Sequence, residues 1–280
     1  MNKIYVIGDI HCRNFYKPIL QVKDTPVVFL GDYMDKYWYE GTTDVEGIEN
    51  LKEIFSYARN NKNVILLAGN HDHNEIWSPL AAMRTSMEYY QELHKLYRDN
   101  IDLLHPIYKI KDTVFTHAGI NRGWINTQND IFKREGRNFQ LNQDNIIPYI
   151  ENEWTLELQN DKVPNQHFLY PSMNSSIFDI GRSRGGEAMY AGPFWSDFYG
   201  DFFGHPDGFN FYQIVGHTQL EFTGSMGLGD GLACIDSRAI FEYDLDTHHI
   251  KPSEINDEKT KSEIQDYCWK GGFIQFDKDY

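Results

Sequence analysis

Cysteine is scarce in this chain, and long apolar runs are absent from it. Three cysteines occur among 280 residues, and none belongs to a Cys-x-x-Cys or Cys-x-x-His pair. An odd number of widely separated cysteines argues against a disulfide framework and favours a reducing compartment. No run approaches the ~18–20 apolar residues of a membrane span, and the first apolar stretch lacks the features of a signal peptide. We therefore expect a soluble, cytoplasmic protein.

Basic residues are also few. Lysine and arginine number 26 against 41 aspartates and glutamates, which gives a net charge of −15, and no basic run occurs. Because such a chain is repelled by phosphate backbones, we expect neither nucleic-acid binding nor nuclease activity. The 41% of hydrophobic and 15% of aromatic residues favour a packed domain over disorder.

Apolar runs and helical periodicity alternate along the chain. We predict strands at 3–8, 26–30, 64–68, 107–110, 113–116, 213–215, 232–235 and 239–245, and helices at 13–22, 44–60, 87–97 and 143–160. This strand–helix–strand order is typical of a parallel sheet in an α/β fold. The pattern further predicts a hairpin over 107–116 and a closing pair formed by the last two strands.

Two segments differ from the rest of the chain. Residues 161–210 are rich in glycine, proline and aromatic side chains, and such long irregular stretches are typically functional. From about Lys251 the chain is polar until Trp269. We therefore predict one domain over 1–250, with a loop-rich insert at 161–210, and a peripheral C-terminal tail over 251–280.

Polar side chains recur where five of the predicted strands end. These residues are Asp9 with His11, Asp32 with Asp35, Asn70 with His71, His117, and His217. The carboxyl ends of strands form the ligand crevice of α/β proteins, and the period of two along a strand predicts that Asp9 and His11 point the same way. Oxygen and imidazole ligands without thiolates suit manganese, iron or zinc. The alternative of plain turns and helix caps does not explain five recurrences.

The segments GDIHC, GDYMDK, GNHD, THAG and GHT, in this order, resemble the calcineurin-like metallophosphoesterase superfamily. Its signature reads GDxHG, GDxxDRG, GNHE/D, a His with small neighbours, and a late His before Thr. The single histidine of Gly216-His217-Thr218 resembles the protein-phosphatase-like and dinucleoside-tetraphosphatase-like branches more than the diesterases with GHxH. The tripeptide Trp195-Ser196-Asp197 resembles the WSD of the protein Ser/Thr phosphatases. The resemblance implies an α/β four-layer sandwich, in which two mixed β-sheets are flanked by helices.

The resemblance also implies a site with two divalent metal ions, manganese first, with iron or zinc as alternatives. Its ligands would be Asp9 and His11 for the first metal, Asp32 as the bridge, and Asn70, His117 and His217 for the second. His71 would protonate the leaving oxygen, and Asp35 would orient His71 and keep it protonated. The implied reaction is hydrolysis of a phosphate monoester by a hydroxide bound to both metals.

Two positions depart from the family signature. The arginine of DRG is replaced, because Asp35 is followed by Lys36 and Tyr37, and lysine lacks the planar fork that grips two phosphate oxygens. We therefore predict that Arg182 and Arg184, together with Asn70, bind substrate. Ordinary surface ion pairs are the alternative for both arginines. The first motif also ends in a cysteine where the family has glycine.

Three functions stay open at this point. The first is a phosphatase that resembles the protein Ser/Thr phosphatases. The second is a nucleotide hydrolase for dinucleoside polyphosphates or cyclic nucleotides, because aromatic residues of the insert could stack a base. The third is a non-catalytic phosphate-binding module, against which the intact Asn70 and His71 argue. The expected partner is a phosphorylated substrate, either a phosphoprotein or a nucleotide, and the oligomeric state is not predicted.

Overall fold

A computed structural model describes residues 2–77, 84, 86–159, 175–202, 209–221, 224–228 and 231–269. Two mixed β-sheets pack face to face between helices, so the predicted fold class is confirmed. The predicted insert and tail lie outside the described residues at 161–174, 203–208 and 270–280. The division into a domain and a tail stays a prediction.

The first sheet carries three of the polar strand ends. Its strands are β1 (Lys3–Ile7), β2 (Val27–Phe29), β3 (Val64–Leu67), β4 (Leu104–His105), β10 (Ile240–Asp244) and β11 (Ile250–Pro252). They are ordered β11-β10-β1-β2-β3-β4, with β1 to β4 parallel and β10 antiparallel to β1. Because β1, β2 and β3 are adjacent and parallel, the loops that follow them leave the sheet side by side.

The second sheet carries the other two polar strand ends. Its strands are β5 (Ile107–Ile110), β6 (Thr113–Thr116), β7 (Tyr212–Val215), β8 (Met226–Leu228) and β9 (Leu232–Cys234), in the order β5-β6-β7-β9-β8. The predicted hairpin of β5 and β6 is confirmed. The predicted closing pair is wrong, because β9 pairs with β7 whereas β10 pairs with β1 in the other sheet. Strand β9 reads LAC and strand β10 reads IFEYD, and neither sequence specifies its partner strand.

The described helices flank the two sheets. They are α1 (Asp44–Asn60), α2 (Asp72–Trp77), α3 (Tyr90–Asp99), α4 (Arg122–Arg134), α5 (Ile146–Gln159) and α6 (Glu258–Trp269). Helix α1 has the predicted bounds, because Thr43 and Glu46 form a capping box at its start. No described helix combines the length and the apolar character that a bilayer crossing requires.

Two helical segments differ from the sequence prediction, and Pro148 lies near a helix start. The predicted helix at 13–22 is only a short 3-10 segment, Lys17–Gln21, which begins with a proline near its first position. Helix α4 was not predicted, although Asn121 provides the capping signal by accepting a hydrogen bond from the Trp124 N–H. Pro148 lies in the first turn of α5, where its missing N–H costs no helical hydrogen bond.

Successive side chains of a strand point to opposite faces of its sheet, and this divides the core into layers. Along β6, Phe115 packs in the core between the two sheets, whereas its neighbour Val114 packs in the cluster that includes the flanking helices. In β1, Val6 likewise packs between the sheets and Ile7 packs in the cluster that includes the flanking helices. Because both faces of each sheet are covered, the strand ends are held on a rigid support.

Candidate active site

The five polar strand ends meet around one carboxylate. Asp32, which follows β2, places its Oδ2 atom 3.7 Å from His11 Nε2, 3.9 Å from His71 Nε2 and 3.5 Å from His117 Nε2. All four side chains are buried. Burial raises the pKa of Asp32, but the surrounding histidines outweigh it and hold that pKa below its ordinary value. Asp32 is therefore an ionised carboxylate at the centre of the cluster.

Left-handed backbone conformations direct these side chains inward. The φ angles are 45° at His11, 53° at Asp32, 63° at Asp35 and 64° at His217. Such values are uncommon outside glycine and cost on the order of 1–3 kcal/mol each, so they occur where surrounding structure enforces them. Strand β1 ends at Ile7, so Asp9 and His11 lie beyond it, and the prediction that strand alternation orients them was wrong. A sharp turn, rather than strand alternation, brings His11 to the centre.

A first group of potential metal ligands lies beside β1. His11 Nδ1 donates a hydrogen bond to the carbonyl oxygen of Met34 at 3.0 Å, which leaves the Nε2 lone pair free. That atom lies 3.8 Å from Asp9 Oδ2, in addition to its approach to Asp32. Burial lowers the pKa of His11, so the ring is neutral and suited to bind a cation.

A second group lies where β6 and β7 end. His117 Nδ1 donates to the carbonyl oxygen of Leu30 at 2.8 Å, so its Nε2 presents a lone pair. This Nε2 faces Asn70 Oδ1 at 2.8 Å and His217 Nδ1 at 3.2 Å, and the latter two atoms are 2.8 Å apart. In the tautomer of His217 that leaves Nδ1 unprotonated, the lone pairs of all three atoms face one another, and a cation between them would relieve their repulsion.

These two groups share Asp32. Potential ligand atoms of His11 and Asp32 lie within 4.8 Å of one another, as do those of Asp32, His117 and His217. His71 lies within the same distance of the first pair, and Asp9 Oδ2 lies 3.8 Å from His11 Nε2. The side chains therefore fit a dinuclear centre bridged by Asp32. The donor set of oxygen and nitrogen does not distinguish manganese, iron and zinc.

His71 is paired with Asp35 by a short buried contact. Its Nδ1 lies 2.6 Å from Asp35 Oδ2, and its Nε2 faces the centre. Burial alone would lower the pKa of His71, but the carboxylates of Asp32 and Asp35 raise it above its ordinary value. A protonated ring cannot bind a metal and can donate a proton, so this geometry favours an acid over a ligand.

The structure separates the two arginines that the sequence analysis named. Arg184 Nη2 donates to Thr218 Oγ1 at 2.9 Å and to the carbonyl oxygen of His217 at 3.4 Å, while Asp197 holds its Nε at 2.7 Å. Arg184 thus lies beside the second ligand group, oriented by the Trp-Ser-Asp segment. Arg182 is exposed, and its role stays a prediction.

Asp72 connects two loops of the site, a role that the sequence analysis missed. Its Oδ2 accepts hydrogen bonds from the N–H groups of Asp32 at 2.8 Å and Gly69 at 2.7 Å. Its Oδ1 accepts from the Tyr33 N–H at 3.1 Å and the Tyr97 hydroxyl at 2.5 Å. In the sequence, the one indication of this role is that Asp72 is the last residue of the GNHD segment.

Asp236 is a second residue that the sequence analysis did not name. Its buried carboxyl group interacts with that of Asp9, and burial raises the pKa of Asp236 to about 6. Asp9 also accepts the His217 N–H at 3.0 Å, so it connects the two sheets. Behind Asp9, Arg13 pairs with Glu40 at 2.7 Å and donates to the Asp9 carbonyl oxygen. In the sequence, the available indication of this role is that Asp236 follows the buried strand β9.

Comparison with known proteins identifies the family. The model of the family "Calcineurin-like phosphoesterase" matches residues 2–219. The chain belongs to this family. The two ligand groups fit the dinuclear metal site that is typical of calcineurin-like phosphoesterases.

Individual relatives of this calcineurin-like phosphoesterase are distant. A symmetrical bis(5'-nucleosyl)-tetraphosphatase of Buchnera aphidicola is 29% identical over 130 residues, which cover 43% of this chain. The match spans 46% of that relative, less than half of its length. A cold-active protein-tyrosine phosphatase of a psychrophilic Shewanella has a TM-score of 0.59 at 17% identity, covering 89% of this chain and 77% of that one. This last likeness shows the fold.

Proposed function

We propose that this chain is a metal-dependent phosphatase that hydrolyses phosphate monoesters, with His71 as the general acid. The observation that carries the proposal is the 2.6 Å contact between His71 and Asp35, placed beside the carboxylate that two ligand groups share. General acids of this kind contribute roughly 10²–10⁴-fold to a rate. A module that only binds phosphate has no need of such a pair.

The metal ions would be held by the two ligand groups described above. Asp9 and His11 would hold the first ion, Asn70, His117 and His217 the second, and Asp32 both. Two such ions supply a hydroxide nucleophile near neutral pH and neutralise charge on the phosphoryl oxygens. Manganese is the proposed first choice, with iron and zinc as alternatives.

The chain's own side chains would bind the phosphate and move the proton. His71 Nε2 would protonate the leaving oxygen, while Asp35 holds Nδ1 and keeps the ring charged. Asn70 Nδ2 is buried without a hydrogen-bond partner in the described part of the chain, which suits it to donate to a phosphoryl oxygen. Arg184, oriented by Asp197, would contact the phosphate from the side of His217.

Nucleotide hydrolysis is the second candidate, and two observations favour it. The relative from Buchnera is named a bis(5'-nucleosyl)-tetraphosphatase. Trp195 in the insert places its ring 5.8 Å from that of His217, where it could stack against a base. In contrast, Phe194 and Phe198 are fully buried and serve packing.

Hydrolysis of three substrates by metal-stripped protein refilled with manganese would test the proposal. p-Nitrophenyl phosphate represents a monoester, bis-p-nitrophenyl phosphate a diester, and a dinucleoside tetraphosphate the second candidate. We expect metal-dependent monoester turnover, and with phenyl phosphate as the monoester that turnover should collapse in His71→Asn. Preference for the tetraphosphate or the diester would favour nucleotide hydrolysis instead. Metal binding with no turnover of any substrate would contradict both enzymatic proposals.

The number of bound metal ions tests the ligand assignment. Asp32 belongs to both ligand groups, whereas His217 belongs to one. After equilibrium dialysis against manganese, we expect Asp32→Asn to lose both ions and His217→Ala to lose one. Equal losses in the two variants would contradict a bridging role for Asp32. Parallel refilling with zinc or iron would rank the metals by activity.

A further inference from the structure

The lysine that replaces the signature arginine is engaged elsewhere. Lys36 Nζ forms an ion pair with Asp44, the first residue of helix α1, and the lysine side chain is 29% exposed. Acidic residues in the first turn of a helix are themselves favoured by its dipole. Lys36 therefore contacts the start of a helix, and the cation expected beside Asp35 has to come from another part of the chain.

Arg84 provides a guanidinium group at that place. Its Nε and Nη2 atoms donate to the carbonyl oxygen of Asp35 at 3.2 Å and 3.1 Å. Nη2 also lies 3.5 Å from His11 Nδ1. Arg84 is an exposed residue, so its guanidinium reaches the site from the solvent side. The backbone carbonyl of Asp35 thus binds Arg84, while the carboxylate of Asp35 binds His71.

The ring of Tyr37 supports this guanidinium. The Arg84 Cζ atom lies 4.0 Å from the ring centroid, which is a cation–π contact. Tyr37 in turn packs edge-on against His11 at 4.9 Å between centroids, and Arg13 lies 4.9 Å from the same ring. The tyrosine thus connects the guanidinium to the first ligand group.

In the described ranges, the ionic contacts of the chain include none between a carboxylate and Arg84. Its guanidinium instead donates to a neutral carbonyl oxygen, which uses only some of its N–H groups. The remaining N–H groups and the full charge can therefore serve an anion. On the other side of the centre, Arg184 is already paired with Asp197.

We propose that Arg84 is a phosphate-binding residue that takes the role of the missing signature arginine. It would grip the phosphoryl group from the side of His11, opposite Arg184 on the side of His217. Tyr37 and the Asp35 carbonyl oxygen position its fork in advance, which lowers the entropic cost of binding. This inference rests on the proposed phosphatase function, because it assumes that a phosphoryl group occupies the centre.

Binding of inorganic phosphate to the manganese-loaded protein, measured by titration calorimetry, tests this inference independently of turnover. For Arg84→Ala we expect a loss of phosphate affinity of roughly 10- to 100-fold, the range for hydrogen bonds to a charged group. Catalytic efficiency on p-nitrophenyl phosphate should fall by a similar factor. Arg84→Lys should restore only part of either loss, because lysine keeps the charge without the fork.

Two matched variants serve as controls. Lys36→Ala removes the cation at the signature position, and Arg59→Ala removes an exposed arginine that pairs with Asp102. We expect each to change phosphate affinity by less than about threefold, because Lys36 is engaged with Asp44 and Arg59 with Asp102 rather than with the ligand groups. Metal content and circular dichroism of every variant establish that the centre and the fold are intact.

The outcomes separate this inference from the proposed function. If the native protein hydrolyses monoesters and Arg84→Ala binds phosphate normally, the inference is wrong and the function stands. A large loss in Lys36→Ala instead would return the role to the signature position and also overturn the inference. If the native protein binds phosphate without turnover, weaker binding by Arg84→Ala supports the inference while the function fails. Absence of any phosphate binding by the native protein contradicts the inference outright.

Discussion

Replacement of Asp35 by asparagine is the most informative test of the proposed general acid, His71. The carboxylate of Asp35 is buried and lies 2.6 Å from Nδ1 of His71, so the pair forms a charge-assisted hydrogen bond. Asparagine keeps the shape and an acceptor oxygen but removes the negative charge. The variant therefore isolates the electrostatic contribution of Asp35 to the protonation of His71.

The size of the effect follows from the strength of that bond. Hydrogen bonds to charged groups contribute about 1.5–3 kcal/mol, against about 1 kcal/mol for neutral ones. The difference is about one pKa unit at 1.36 kcal/mol per unit. Because Asp35 raises the pKa of His71 in the native protein, its neutralisation should lower that pKa by about one unit. At a pH above the pKa of His71, the protonated fraction then falls about tenfold.

The assay compares two leaving groups over a range of pH. Phenyl phosphate needs a proton on its leaving oxygen much more than p-nitrophenyl phosphate does, because phenol is the weaker acid. We expect the activity of Asp35→Asn on phenyl phosphate to begin its alkaline decline about one pH unit earlier than in the native protein. His71→Asn should lose roughly 10²–10⁴-fold on phenyl phosphate and much less on p-nitrophenyl phosphate.

Equal losses on the two substrates in His71→Asn would refute the assignment of His71 as the general acid. An alkaline limb that does not move in Asp35→Asn would refute the electrostatic role of Asp35. The metal content of both variants provides the control, because a general-acid pair can be altered without loss of either ion. A variant that has lost metal would show the same decrease on both substrates.

Three further substitutions test other parts of the structure. A Cβ atom at residue 216 would lie 2.2 Å from Asp9 Oδ1, so Gly216→Ala should reduce occupancy of the first metal, measured by metal analysis, with little change in melting temperature. Asp72→Asn should destabilise the protein by about 3 kcal/mol in urea unfolding, because a buried carboxylate that accepts four hydrogen bonds is lost; an unchanged midpoint would contradict its connecting role. Burial raises the pKa of Glu75 to about 9, so the folded state binds this proton more tightly than the unfolded state does. The free energy of unfolding should therefore fall as pH rises from the ordinary glutamate range toward about 9. Glu75→Gln should flatten that decline, which urea midpoints at low and high pH would measure.

The residues that gather at the site were predictable from the sequence because the signal is side-chain identity close to strand ends. An acid, an amide or an imidazole one residue beyond an apolar run can be recognised without knowledge of strand pairing, as at Asp32, Asn70 and His117. Helix α1 was equally readable, because both its capping box and its apolar periodicity are local. Local signals of this kind predicted the parallel strands and the composition of the cluster.

Tertiary structure decided what local signals leave undetermined. The sequences of strands β9 and β10 do not specify their partner strands, and packing assigns the two strands to different sheets. His11 reaches the centre through a left-handed turn that tertiary contacts enforce. The direction of a long, flexible cation is also a matter of packing: Lys36 contacts the start of α1, whereas Arg84, almost fifty residues along the chain, rests on Tyr37 beside the site. The sequence specifies the type of each side chain, but strand pairing and side-chain direction depend on residues that only the fold brings together.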